Sequence, residues 1–247
     1  MSKGYVQASG TGTHFYLVTT TTALTAFSST TTAGNSIYVI VAGQQTSGYD
    51  VSSITDTAGH TYSEVVDSGL DQTQSRLRTV VYATHNITAQ ASNVVTINHL
   101  RTANNTGHAI AIEVSATNGV QSTDQTGFDT DALNDQSLTV TAGGANTDAE
   151  AFCIAACGIY NGVNNPAPTL PSGYTSLYYY QPSSSSYRPA ARFAYKIASG
   201  LETSSAQFDI SVTDIGMTGV IATFKEPAGS ALPWWPSVRA PNTLLRM

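Results

Sequence analysis

The sequence predicts an all-β protein, an antiparallel sandwich made of two similar halves, and three observations carry that prediction. Two apolar runs, Ile37 to Ala42 and Phe152 to Ala156, are short, each is soon followed by a glycine (Gly43, Gly158), and the first is rich in β-branched side chains. That is how strands buried on both faces read. No stretch keeps a helical period for longer than about ten residues. Strand-like segments also recur at similar spacing, Ile37 to Phe152, Tyr82 to Tyr195, Ile97 to Ile210 and Val114 to Phe224, at offsets between 110 and 115 residues. The boundaries expected are a lead-in over residues 1–12, a sandwich over 13–226 with halves at about 13–120 and 121–226, and an extended arm over 227–247. Closing both halves into one two-sheet core, rather than two small sandwiches, leaves fewer open edges.

After a Gly/Ser/Thr-rich start, His14 to Val18 and Leu24 to Ser28 are expected as short strands, and Ile37 to Ala42 as the central one. Val51 to Thr55 and His60 to Val66 flank Asp56-Thr-Ala-Gly59 and are expected to form a hairpin, the glycine supplying a positive φ. Arg76 to Ala83 alternates, with Leu77, Thr79 and Val81 facing one way and Arg76, Arg78 and Val80 the other, which suggests a half-exposed strand. Asn86 to Ser92 reads as a turn, and Val94 to Asn98 and Ala109 to Val114 as strands, Glu113 pointing away from the Ile110, Ile112 and Val114 face.

Residues 115–135 are polar, with Asp124, Asp129, Asp131, Asn134 and Asp135 close together, and read as the connection between halves. Leu138 to Thr141, Phe152 to Ala156 and Tyr174 to Tyr180 follow as strands, and Gln181 to Arg188 as a serine-rich mobile loop. Arg192 to Ile197 should point Phe193, Tyr195 and Ile197 inward, and Phe208, Ile210 and Val212 should do likewise in the next strand. Gly219 to Lys225 closes the domain. The tail beyond it holds four of the nine prolines and both tryptophans, so it is expected to be extended.

Charged residues are only 11% of the 247, so neutral polar side chains must supply most of the wetted surface. Sixteen acids against ten bases, with no Lys/Arg cluster, argue against nucleic acid as a partner. No apolar run approaches the roughly 18 residues of a membrane span and the first residues lack an apolar signal core, so a soluble chain made in a reducing cytosol, with no membrane partner, is expected. Cys153 and Cys157 lie roughly 13 Å apart along a strand, too far for a bridge, and read as buried thiols.

Motifs for nucleophilic hydrolases, zinc proteases, phosphate loops and dinucleotide folds are missing, so no catalytic residue, metal or cofactor is assigned and the chain is expected not to be an enzyme. The histidines His14, His60, His85, His99 and His108 are scattered, and the aspartates at 124–135 lack the order of a calcium loop. A hydrolytic site assembled from distant Asp, Glu and His residues is the least favoured reading. Two aromatic features point to binding. Pro233, Trp234, Trp235, Pro236, Arg239, Leu244 and Leu245 make the tail a candidate arm for a protein partner, docking in cis or in trans. Tyr174, Tyr178, Tyr180 and Tyr187 form a candidate glycan face, since exposed tyrosines stack on sugar rings; core packing is the competing explanation.

The succession Gly34-Asn-Ser-Ile-Tyr-Val-Ile-Val, Val51-Ser-Ser-Ile-Thr-Asp-Thr-Ala-Gly-His-Thr-Tyr62, Tyr82-Ala-Thr-His-Asn-Ile-Thr-Ala, Ala111-Ile-Glu-Val-Ser115, Pro171-Ser-Gly-Tyr-Thr, Ala194-Tyr-Lys-Ile and Ile221-Ala-Thr-Phe-Lys resembles a diffuse family of jelly-roll-like β-sandwich proteins of bacteriophage virions and bacterial surface proteins. The likeness spans about Thr13 to Lys225 and implies a jelly-roll-like sandwich; it carries no catalytic residues over. With it comes the expectation of a non-enzymatic structural subunit of a phage particle, a capsid decoration or tail-associated protein. Such a subunit would form a homo-oligomer and contact the major capsid or tail protein within the virion. The alternative is a carbohydrate-binding adhesion module using the tyrosines above.

Overall fold

The computed structural model describes residues 4–18, 20–44, 49–70, 77–100, 105–115, 121–131, 136–160, 166–182, 189–211 and 216–226. Among them every regular element is a strand. In chain order these are β1 (Gly4–Ala8), β2 (Thr13–Val18), β3 (Thr21–Ala23), β4 (Ser36–Gln44), β5 (Val51–Asp56), β6 (Ser63–Asp67), β7 (Leu77–Thr84), β8 (Val95–His99), β9 (Asn105–Ser115), β10 (Ser122–Asp131), β11 (Ser137–Ala145), β12 (Phe152–Tyr160), β13 (Thr175–Tyr180), β14 (Ala190–Ile197), β15 (Thr203–Asp209) and β16 (Gly216–Lys225).

All pairings are antiparallel. Two central sheets run β1-β9-β4-β7-β6, with β2 beside the start of β9, and β10-β16-β12-β14-β13. Each is backed by a smaller sheet, β3-β8-β5 on the first and β11-β15 on the second. The molecule is therefore four layers deep, not the single two-sheet sandwich expected. Three apolar cores lie between the layers. The middle one joins the central sheets through Tyr38, Ile40, Ala42, Ile110 and Ile112 on one side and Phe152, Ile154, Ala156, Phe193 and Phe224 on the other. Outer cores form around Ile37, Val39, Val41, Tyr49 and Ile97 in one half and around Cys153, Ala155, Leu138, Phe208 and Ile221 in the other.

This layering explains the unbroken apolar runs. Even-numbered residues of β4 enter the middle core and odd-numbered ones an outer core, so neither side of the strand can be polar. The same holds for β12. By face, Tyr38, Ile40 and Ala42 correspond to Phe152, Ile154 and Ala156, whereas the sequence spacing sets Ile37 against Phe152, residues that enter different cores. A one-residue slip exchanges the two faces of a strand.

Several expectations are corrected. The hairpin around Asp56 does not form: the turn is present, with Gly59 at φ +81°, but β5 pairs with β8 in the outer sheet and β6 with β7 in the central one. The turn is a corner between layers. Leu24 to Ser28 is irregular, the strand lying at Thr21–Ala23, although Leu24 and Phe27 still enter an outer core. Strand β7 is buried along its length apart from partly exposed Arg78, because both its faces are covered. For the same reason Ala194 is buried while Ile197, at the strand end, is 38% exposed. Within residues 115–135, Ser122–Asp131 is an edge strand hydrogen-bonded to β16 instead of a linker. Val212, the loop at 183–188 and the arm at 227–247 lie outside the described residues.

Candidate functional site

Where the two halves meet, β2 sets His14 opposite His108 of β9, and β13 brings Tyr178 and Tyr180 across from the other half. The His14 ring stacks on Tyr180 at 4.9 Å and on His108 at 4.8 Å. His108 is fully buried: its Nδ1 lies 2.8 Å from the Tyr178 hydroxyl and its Nε2 accordingly pairs with the Pro189 carbonyl at 2.8 Å. With the carbonyl accepting, Nε2 carries the proton and Nδ1 accepts from Tyr178. Gly12 makes this approach possible, since a Cβ there would fall 2.2 Å from the Tyr178 ring, and its φ of +87° also favours glycine.

The tyrosines expected on a glycan face are thus redistributed. Tyr178 is 6% and Tyr174 7% exposed, both core residues, the Tyr174 hydroxyl donating to the Ser205 carbonyl at 3.0 Å. Tyr180 is half-buried and stacked. The exposed tyrosine of β13 is Tyr179, which is not among those expected on the glycan face: it is 51% accessible on the opposite face, with the Arg192 guanidinium 4.2 Å from its ring centroid. Tyr187 and the residues Pro233, Trp234, Trp235, Pro236, Arg239, Leu244 and Leu245 lie outside the described residues.

Among the described residues of the first half, three polar networks bear on the question of a site. The buried carboxylate of Glu113 accepts hydrogen bonds from Gln7 Nε2 at 2.6 Å, the Thr32 amide at 2.7 Å and Asn35 Nδ2 at 2.6 Å. It ties the 28–35 segment to β1 and β9 of the central sheet. Arg78 is held by Asp67, by Asp50 at 2.5 Å and, more distantly, by Glu64 at 3.9 Å. Hydrogen bonding to Asp67 keeps the guanidinium firmly protonated, while burial and then the nearby Asp67 raise the Glu64 pKa.

The third network has the order of a catalytic relay. Asp56 Oδ2 is 2.8 Å from His60 Nδ1, and His60 Nε2 is 3.0 Å from Thr88 Oγ1. However, the Thr88 backbone amide also donates to Nε2 at 3.0 Å. That lone pair is already used, so the imidazole acts as a clamp between the corner and the 86–92 turn rather than as a base toward the hydroxyl. Burial alone would raise the Asp56 pKa, but hydrogen bonds from Asn93, His60 and Tyr62 outweigh it and hold it below its ordinary value. Elsewhere, His99 sits between Thr22 Oγ1 at 2.8 Å and the Tyr49 hydroxyl at 3.3 Å, and burial lowers its pKa to about 4. Both thiols are free and buried; burial pushes Cys153 up to about 11 and Cys157 higher still. Among the described residues no group of three His, Cys, Asp or Glu side chains is placed to hold a metal ion.

Sequence reasoning missed the network around Glu113, whose one signal is a lone acid in the otherwise apolar stretch Ala109 to Val114. It also missed the edge strand β10. There Phe128 is 63% exposed, and Leu201, at 66%, is another outward apolar side chain. The chain matches no protein-family model, no curated protein and no solved structure.

Proposed function

We propose that the chain is a non-enzymatic structural subunit of an assembled particle, acting through protein–protein contacts at its sheet edges and through the segment beyond residue 226. The carrying observation is a contrast: the buried Glu113, His108 and Asp56 side chains are bonded inward, whereas Phe128 on a long edge strand is turned to solvent. A body whose buried Glu113, His108 and Asp56 side chains are bonded within it and whose edge carries an exposed apolar side chain is suited to being held by neighbours. The resemblance drawn from the sequence supplies the setting, a bacteriophage virion in which the protein decorates the capsid or belongs to the tail. Matching strand orders in the two central sheets support a further part of this reading, that the halves are copies of one β-unit of jelly-roll-like descent.

Particles assembled with and without residues 227–247 test the proposal. The full chain should co-purify with particles at fixed stoichiometry and the shortened one at a much lower level. A full chain that never enters particles rejects the reading, and undiminished entry of the shortened chain rejects the arm's part in it.

A second reading has one observation in its favour, the exposed Tyr179 beside Arg192, a pairing that could stack on a sugar ring and bond its hydroxyls. A glycan array on which the wild type binds and Tyr179→Ala does not would support this reading; a blank array removes it.

A further inference from the structure

The four rims of the central sheets are unequal. One central sheet ends in β6, five residues long, and on the other side in β1 and β2, five and six residues long; β13, with six, ends the second sheet. Each of these has a register shift within its short length. Short, bulged edges resist pairing with another chain. Strand β10 has ten residues, and after one shift near Thr123 its register with β16 runs unbroken from Gln125 to Asp131. Among the described residues no strand is hydrogen-bonded to its other side, although β11 packs closely against it where Gly127 meets the Thr141 carbonyl.

Its chemistry is also permissive. It contains no proline and no lysine, and Asp124 is turned into its own molecule, where it accepts from the Thr147 amide and pairs with Lys225. Gln125 directs its amide toward β16, onto Thr223 Oγ1, while the Thr130 amide turns to the neighbouring Asp129 carboxylate. Alternation then assigns the outward N–H and C=O groups to Thr126, Phe128 and Thr130.

We infer that β10 is a homodimerisation edge, and that two copies pair their β10 strands antiparallel about a two-fold axis at Phe128. Parity limits the registers, and exposed Phe128 at the middle of the unbroken ladder from Gln125 to Asp131 sets the axis among them. Outward-facing residues must oppose one another, so even-numbered positions pair with even-numbered ones, and the register that would set Asp124 against Asp131 is forbidden. With the axis at Phe128, the two Phe128 side chains meet, Thr126 faces Thr130, Gly127 faces Asp129 and Gln125 faces Asp131. No acid opposes another. The pairing joins two five-stranded central sheets into one continuous sheet across the dimer. This inference deepens the structural-subunit reading by naming one partner as a second copy of the chain.

The test uses the full chain. Sedimentation across a concentration series should show a monomer–dimer equilibrium, and Thr126→Pro, which removes one outward N–H, should shift it at least tenfold toward monomer while the circular dichroism stays native. Under mild oxidation Phe128→Cys should form a covalent dimer, because facing positions at the axis come within disulfide reach, whereas Thr130→Cys, which faces Thr126, should not. A wild type that stays monomeric at hundreds of micromolar, or a dimer that Thr126→Pro leaves unchanged, overturns the inference. So does a chain that dimerises only once residues 227–247 are removed, since its own tail would then be the occupant of the edge. Particle entry by the Thr126→Pro variant at the wild-type level would defeat the pairing's role in assembly and leave the structural-subunit reading standing.

Discussion

Replacing Glu113 by alanine should be among the most damaging single changes in the first half. The substitution leaves Gln7 Nε2, the Thr32 amide and Asn35 Nδ2 without their common acceptor in a site where the carboxylate is wholly buried. At about 1–3 kcal/mol for each stranded donor, and allowing water to recover part of it, the expected loss is about 3–5 kcal/mol. Glu113→Gln separates this cost into parts. Its carbonyl can still serve Thr32 and Asn35, which share one oxygen, but its amide would face Gln7 Nε2. Gln7 cannot simply flip, because its own carbonyl accepts from the Ser29 amide at 3.0 Å and the Ser29 hydroxyl at 2.8 Å. The expected cost is about 1–2 kcal/mol, and Gln7→Ala should make the two changes non-additive. Urea unfolding followed by circular dichroism measures all four members of the cycle. An alanine variant that loses under 1 kcal/mol, or a glutamine variant as unstable as the alanine one, would refute the reasoning.

Gly12→Ala should destabilise the chain by about 1–3 kcal/mol through both the φ of +87° and collision with Tyr178, with the thermal midpoint as readout; an unchanged midpoint would mean that the seam between halves yields freely. Burial lowers the His99 pKa from an ordinary 6.5 to about 4, so the unfolded chain binds more protons between those values. Stability attributable to His99 should accordingly be full above about pH 6.5 and fall progressively toward pH 4, and His99→Gln should flatten that part of the pH profile of unfolding. Cys153 and Cys157 should resist a thiol reagent in the native protein and both react in denaturant; rapid native labelling would contradict their burial.

The central strands were readable because burial on both faces leaves a composition that few other environments tolerate, as in Ile37 to Ala42. Layer assignment was not, because β5 and β6 are close in sequence and carry a well-formed turn, Asp56 to Gly59, while the partners that separate them, β8 and β7, lie further along the chain. Strand β10 carries mostly polar side chains and only one large apolar residue, so alternation says little about it; its strand character comes from the β16 ladder. Tyr178 and Tyr180 do share a face, as alternation requires, but which face is inward depends on a bulge between Ser176 and Tyr178 and on β2 arriving from the other half. The Glu113 network is assembled from residues up to 106 positions apart, which local pattern cannot reveal.

The middle strands β4, β9, β12 and β16 of the central sheets have no wet side. Water can reach the amides of Ile40 and Ile154 only if an outer layer lifts away or the halves part, so their protons should trade with deuterium on one slow clock shared across the molecule. Wear would begin at the rims and move inward, and the middle would be the last region to register it.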